Sequence, residues 1–173
     1  PTLPDLAALE AQSELVFLPV GGSGPRHRPT ELNRLGRYQV HLFDREDEPE
    51  TSRREELAWR LDENPNCYAF VTGKRSLENY LHPDVVTEVA RVAVLFGDHE
   101  PVADLVAQRI FESKPRSITW QGLPYRSRKR LRDRAKCWLN TTAVDWMTIG
   151  HLEERDPDGE IQHWLGTIAK LLG

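Results

Sequence analysis

Apolar positions recur along this chain with two different periods. Residues 5–13 carry Leu6 and Leu9 among alanines at helical spacing behind a Pro4-Asp5 start, which predicts a short helix. Leu15-Val16-Phe17-Leu18-Pro19-Val20 follows as a continuous apolar run ending in Gly21-Gly22-Ser23-Gly24-Pro25, the pattern of a strand covered on both faces. A short helix is predicted over 30–37, with Leu32 and Leu35 inward and Gly36 as its stop, and a strand over 38–43. Ser52, with Glu55 three residues on as a capping-box partner, opens the next helix, which Asn64-Pro65-Asn66 ends. Cys67-Tyr68-Ala69-Phe70-Val71 is the third strand. Strands alternating with helices predict a parallel sheet with right-handed crossovers, where function collects at the carboxyl ends of the strands.

From residue 83 the pattern is helical. Apolar residues keep helical spacing over 84–96 and 101–114, and over 125–139 Leu131, Ala135, Trp138 and Leu139 form one stripe. A last helix over 159–172 turns Ile161, Trp164, Leu165, Ile168 and Leu172 inward. The expected fold class is α/β: a parallel sheet flanked by helices over 1–82, and a helical extension over 83–173. No internal repeat or low-complexity tract interrupts it.

Composition narrows the class. With 39% hydrophobic residues in 173, the chain can bury a core, which excludes a disordered chain. Its longest apolar stretches, such as Val92-Ala93-Val94-Leu95-Phe96, fall far short of the ~18–20 residues of a spanning helix. No membrane association and no secretory signal are expected, although a chain that opens on Pro1 is expected to have lost its natural start or to have more sequence upstream. Cys67 and Cys137 lie far apart without CxxC spacing, which argues against a zinc site or disulfide framework and fits a reducing cytoplasm.

The net charge of −4 hides two opposite poles. Asp44, Glu46, Asp47, Glu48 and Glu50 crowd one loop, whereas Arg126, Arg128, Lys129, Arg130, Arg132, Arg134 and Lys136 crowd one predicted helix. Basic segments neutralise phosphates and acidic clusters hold divalent metal, so the pair suggests nucleic-acid chemistry; either alone is commonly a solvated face. Asp44 and Glu46 end the second predicted strand, and at i and i+2 they share a side if extended geometry continues past Phe43. Parallel strand ends would bring Glu78 near them. Such hard oxygen ligands suit Mg²⁺ or Mn²⁺, which can activate water or clamp the oxygens of a phosphodiester. The same acids also make an ordinary solvated loop ahead of a helix.

Phe17-Leu18-Pro19-Val20-Gly21-Gly22, then Val40-His41-Leu42-Phe43-Asp44-Arg45-Glu46-Asp47, then Arg75-Ser76-Leu77-Glu78-Asn79-Tyr80-Leu81 resembles the later part of a TOPRIM domain. It is most similar to the form linked to ABC-type ATPases in the overcoming-lysogenization-defect nuclease family, over roughly residues 15–82. The resemblance implies a TOPRIM-like sheet over 1–82 that lacks its first strand, and metal-dependent hydrolysis of DNA, in a phage-defence or plasmid-maintenance setting. Asp44 and Glu46 stand where the family has an Asp-x-Asp pair, and Glu78 where it has a further metal-binding acid. Glu46 reaches one methylene further than the family's second aspartate, and Asp47 could substitute in another local register. The family's first motif, a strand ending in Glu-Gly, would lie ahead of Pro1. The partners implied are DNA, an ATPase region upstream in the same polypeptide or on an associated subunit, and a second copy of the chain.

Other constellations are less specific. Gly21-Gly22-Ser23-Gly24 lacks a following Gly-Lys-Ser/Thr, and Gly73-Lys74-Arg75-Ser76 has Tyr68 where a Walker loop has its first glycine, so no Walker motif is present. Lys74 and Arg75 could stabilise developing phosphorane charge, or simply be solvated loop bases. The basic helix offers an arc that can contact phosphates without reading sequence, or a face that arginine keeps in solution. His27 and His41 are close to the acids in sequence order alone. A non-catalytic module that docks nucleic acid or protein through a degenerate sheet domain is the alternative to a nuclease, and nucleotidyl transfer, as in primases, shares its metal logic.

Overall fold

The computed structural model describes residues 5–18, 34 and 36–172. Among these it is mixed α/β and mostly helical, with seven α-helices and a two-stranded parallel sheet. The chain divides into two compact units, one formed by 1–72 with 159–173 and the other by 73–158. The sequence pattern draws the boundary near 82. The contacts draw it at the end of the second strand and return the last helix to the first unit.

In the first unit, α1 (Leu6–Ala11) starts where the Asp5 carboxylate accepts from the Ala8 amide at 3.0 Å. Residues 15–18 of the predicted first strand carry no strand pairing, and Val16 is 68% exposed. The rest of that segment, the glycine turn, His27 and nearly all of the helix predicted over 30–37 lie outside the described residues. Strand β1 (Gln39–Phe43) runs parallel to β2 (Cys67–Val71), in register from Gln39 opposite Cys67 to Phe43 opposite Val71. Between them α2 (Glu50–Asp62) crosses over and packs on β2, burying Ala58 and Leu61. The capping box expected at Ser52 and Glu55 is not formed. Ser52 Oγ donates instead to the Glu48 carboxylate at 2.8 Å, and the helix starts two residues earlier, behind Pro49. His41 is a buried residue of β1, hydrogen-bonded to Gln39 at 3.2 Å, and burial lowers its basicity despite the opposing charge of Asp62. The last helix, α7 (Glu160–Leu172), sets His163 edge-on to Phe70 of β2, with ring centroids 5.3 Å apart.

The second unit opens with a 3₁₀ turn (Leu77–Tyr80) and continues through α3 (Pro83–Ala90), α4 (Val102–Glu112), α5 (Tyr125–Trp138), a π-helical turn (Leu139–Ala143) and α6 (Ile149–Arg155). The helix expected over 84–96 ends at Ala90, because Arg91 takes a left-handed conformation with φ 56°. Beyond it Val94 and Phe96 are buried while Leu95 is exposed, and Val94 bonds through both backbone groups to the Thr87 hydroxyl. The core gathers Val86, Val106 and Leu139, all fully buried, with Ala135 seating α5 on α4. The α5 stripe thus faces inward as expected, with Leu131 and Trp138 half-buried at its edges. Among the described residues no helix is long and apolar enough to cross a membrane.

Candidate acidic loop and nucleic-acid interface

The acidic loop grows from the carboxyl edge of the parallel pair. Past Phe43 and Val71 the two chain segments stay joined, since the Thr72 amide donates to the Phe43 carbonyl at 2.9 Å. Arg45 then closes the edge: its amide donates to Thr72 Oγ1 and its Nε to the Thr72 carbonyl, both at 2.9 Å. Thr51, buried at the start of α2, donates to the carbonyls of Arg45 and Glu46 at 3.0 and 3.1 Å, and Arg54 donates to the Asp44 carbonyl. These bonds turn the backbone sharply, and Glu46 sits at φ 59°. The extended geometry that would put Asp44 and Glu46 on one side therefore stops before Glu46. Both are half-buried, whereas Asp47 is exposed.

Glu78 belongs to the second unit and is 3% exposed. Its Oε1 accepts from Asn140 Nδ2 at 2.8 Å and lies 3.2 Å from the Lys136 ammonium. Burial alone pushes the Glu78 carboxyl up, but the Asn140 hydrogen bond, the Lys136 charge and a bond from Ser76 outweigh it and hold the group below the usual glutamate value. A carboxyl depressed in the folded state stabilises that state above its unfolded value, and the contribution is lost as pH falls through the folded one. The stability gap between the wild type and Glu78→Gln is therefore expected to be constant near neutrality and to shrink below about pH 4.3. Urea unfolding across that range checks this, and a gap indifferent to acid would show that the charge contributes nothing.

Lys74 is committed rather than presented. Its ammonium lies 2.6 Å from Asp98 and over the Tyr80 ring, with 11% of the side chain exposed. The hydrogen bond from Lys74 holds the Asp98 carboxyl below its ordinary range, helped by Arg155 at 3.0 Å. Arg75 is tied to the same loop, through its amide to the Asp98 carbonyl at 2.8 Å and its guanidinium to the His99 carbonyl at 3.4 Å.

Helix α5 sorts its bases by position. Arg128 and Arg132 are half-buried, Arg132 within 3.8 Å of Asp104, and Lys129 pairs with Asp133 at 2.6 Å. Arg126, Arg130 and Arg134 are exposed and form no ion pair with a described residue. At four-residue spacing they follow one another about 6 Å apart along the axis, in a strip that winds from directly opposite buried Ala135, at Arg126, to roughly a quarter-turn from it, at Arg134.

Asp44, Glu46 and Asp47 thus share one loop of the first unit, and Glu78, Lys74 and the α5 bases lie in the second. Carboxylates of this kind fit Mg²⁺ or Mn²⁺ by donor type, but among the described residues no group of three His, Cys, Asp or Glu side chains is gathered that could hold a metal. Asn140, Asp98 and Arg155 escape the sequence pattern, because nothing local marks residues that act across 57 or 62 positions. Compared with protein-family models, with curated proteins and with solved structures, the chain finds no match.

Proposed function

We propose that the chain acts on DNA in the cytoplasm, binding the phosphate backbone through α5 and contributing acidic ligands, Asp44 foremost, to a TOPRIM-like, divalent-metal nuclease centre. The observation that carries the DNA part is the row formed by Arg126, Arg130 and Arg134, three exposed cations without an ion-pair partner among the described residues. The catalytic part is supported by the position of Asp44, one residue past the carboxyl end of a parallel strand, where open α/β sheets collect their ligands. Bound metal would supply a polarised phosphodiester and an activated water. The chain's own residues would hold the loop in place, Arg45 and Thr51 fixing its backbone. Further ligands are required, because the loop alone offers too few to hold two cations.

A non-catalytic docking module is the alternative, favoured by the engagement of Glu78 with Lys136 and Asn140. Calorimetric titration with Mn²⁺ separates the two. Asp44→Ala is expected to weaken binding roughly tenfold or more, the scale on which ligand shells tune metal affinity. Plasmid nicking by the full reading frame should fall with it. Identical titrations would remove the metal and leave the docking module.

A further inference from the structure

Two histidines lie face to face in the second unit. His82, just ahead of α3, and His151, in the first turn of α6, stack with ring centroids 4.8 Å apart and 23° between their planes. Each ring also closes a helix start through the same nitrogen. His82 Nδ1 accepts from the Asp84 amide at 3.2 Å, capping α3, and His151 Nδ1 accepts from the Thr148 amide at 3.3 Å, completing the capping box of α6. A backbone amide only donates, so Nδ1 carries a lone pair in both rings, and the one proton of a neutral imidazole sits on Nε2. In His82 that nitrogen faces the Glu154 carboxylate of α6 at 3.2 Å, which joins the start of α3 to α6 a second time.

A proton added at Nδ1 turns the acceptor into a donor aimed at another N–H, so each cap bond exists only while its ring is neutral. Two charged rings at this separation also repel each other. The carboxylates pull the other way, Glu154 on Nε2 of His82 and Asp84 at 3.8 Å from its Nδ1, but their side chains are 72% and 86% exposed and water screens them. The π turn that packs on α3 carries no titratable side chain, and Arg155, one turn beyond His151, is held by the Asn79 carbonyl and by Asp98.

We propose that His82 and His151 form a proton-operated latch that holds α6 against the start of α3 while both rings are neutral and releases it when they take up protons. Helix α6 buries none of its residues, so it depends on side-chain contacts of this kind. The folded caps need neutral rings and the unfolded chain does not, so the latch is closed at high pH and opens as pH falls between about 8 and 5, where imidazole titrates. Release loosens Arg155, whose Nη2 donates to the Asn79 carbonyl and the Asp98 carboxylate at 2.6 and 3.0 Å. The latch needs neither DNA nor metal and stands apart from the function proposed above.

The test is amide hydrogen exchange of the full chain at about pH 7.5 and 5.5, expressed as protection relative to the unfolded-chain rate at each pH, for the wild type, His82→Asn, His151→Gln and the double variant. Asparagine caps a helix and glutamine closes a capping box without titrating in this range. Protection of α6 in the wild type is expected to fall about tenfold on acidification, the scale of losing helix caps, while α4 changes far less. Each single variant should reduce that response and the double variant should abolish it. Unchanged or increased α6 protection in acid would overturn the latch, the increase because the carboxylates would then outweigh the caps. An equal loss in α4 would overturn it as general acid unfolding, and an undiminished response in the folded double variant would place the titrating group elsewhere. If the variants at residue 82 fail to fold by circular dichroism, His151→Gln decides alone, and an acid response as large as the wild type's in that variant overturns the proposal.

Discussion

Replacing Asn79 with alanine is expected to lower unfolding stability by about 3–4 kcal/mol, on a scale of roughly 1 kcal/mol for each buried hydrogen bond lost and more where a partner is stranded. Asn79 is fully buried. Its amide nitrogen donates to the carbonyls of Gly97 and Glu100 at 2.9 and 3.0 Å, and its oxygen accepts from the Ser76 amide and hydroxyl at 3.2 and 2.9 Å. One side chain thus fastens the 3₁₀ turn that carries Glu78 to the loop that carries Asp98. Alanine strands four polar groups at once, and water reaches only those near the surface. Aspartate keeps the acceptors but turns a carboxylate toward two carbonyls, so it should not rescue. Urea unfolding followed by tryptophan fluorescence, with buried Trp120 as reporter, checks the size of the loss. A loss under about 1 kcal/mol would show that the two segments hold together without Asn79.

The second large effect concerns binding. Changing Arg126, Arg130 and Arg134 together to glutamine is expected to flatten the salt slope of DNA binding by about 2.7, three contacts at about 0.9 each. If the isotherms of the two chains converge near ~1 M salt, this amounts to roughly a hundredfold weaker binding at ~0.15 M. The loss should be similar on unrelated sequences, because such contacts are to phosphate. Stability should change little, because these side chains are exposed and pair with no described acid. An unchanged slope in a folded triple variant would move the interface elsewhere.

How much of this was legible in the sequence depended on how local the cause was. Strand β2 is legible because five apolar residues stand between turn-forming asparagines and a threonine-glycine pair, and α5 because its stripe repeats at helical spacing. The end of α3 is not, because Val92, Val94 and Phe96 extend the apolar pattern although Arg91 has already broken the helix. Helix α6 leaves almost no apolar trace: it has seven residues and leaves Ile149 78% exposed. Its one signal is Thr148, whose hydroxyl accepts from the His151 amide in a capping box that uses histidine where glutamate is usual. The acids at 44–47 could be found as a cluster, but the turn at Glu46 depends on Thr51, Arg45 and Thr72, a set that only the folded backbone assembles. Glu78 could be singled out as an acid. That it faces Lys136 and Asn140 is a property of tertiary packing.

The grouping of α7 with the first 72 residues has a consequence for synthesis. The ribosome delivers the opening part of that unit first, then the whole of 73–158, and only afterwards the helix that completes what it began. At ~5–20 residues per second the intervening 86 residues take roughly 4–17 s to add, during which the nascent β1–α2–β2 segment has no α7 to set against Phe70. The second unit is contiguous and faces no such wait. Of the two units, the one begun first is thus the last to be finished, and its early surface stays without α7 for that interval.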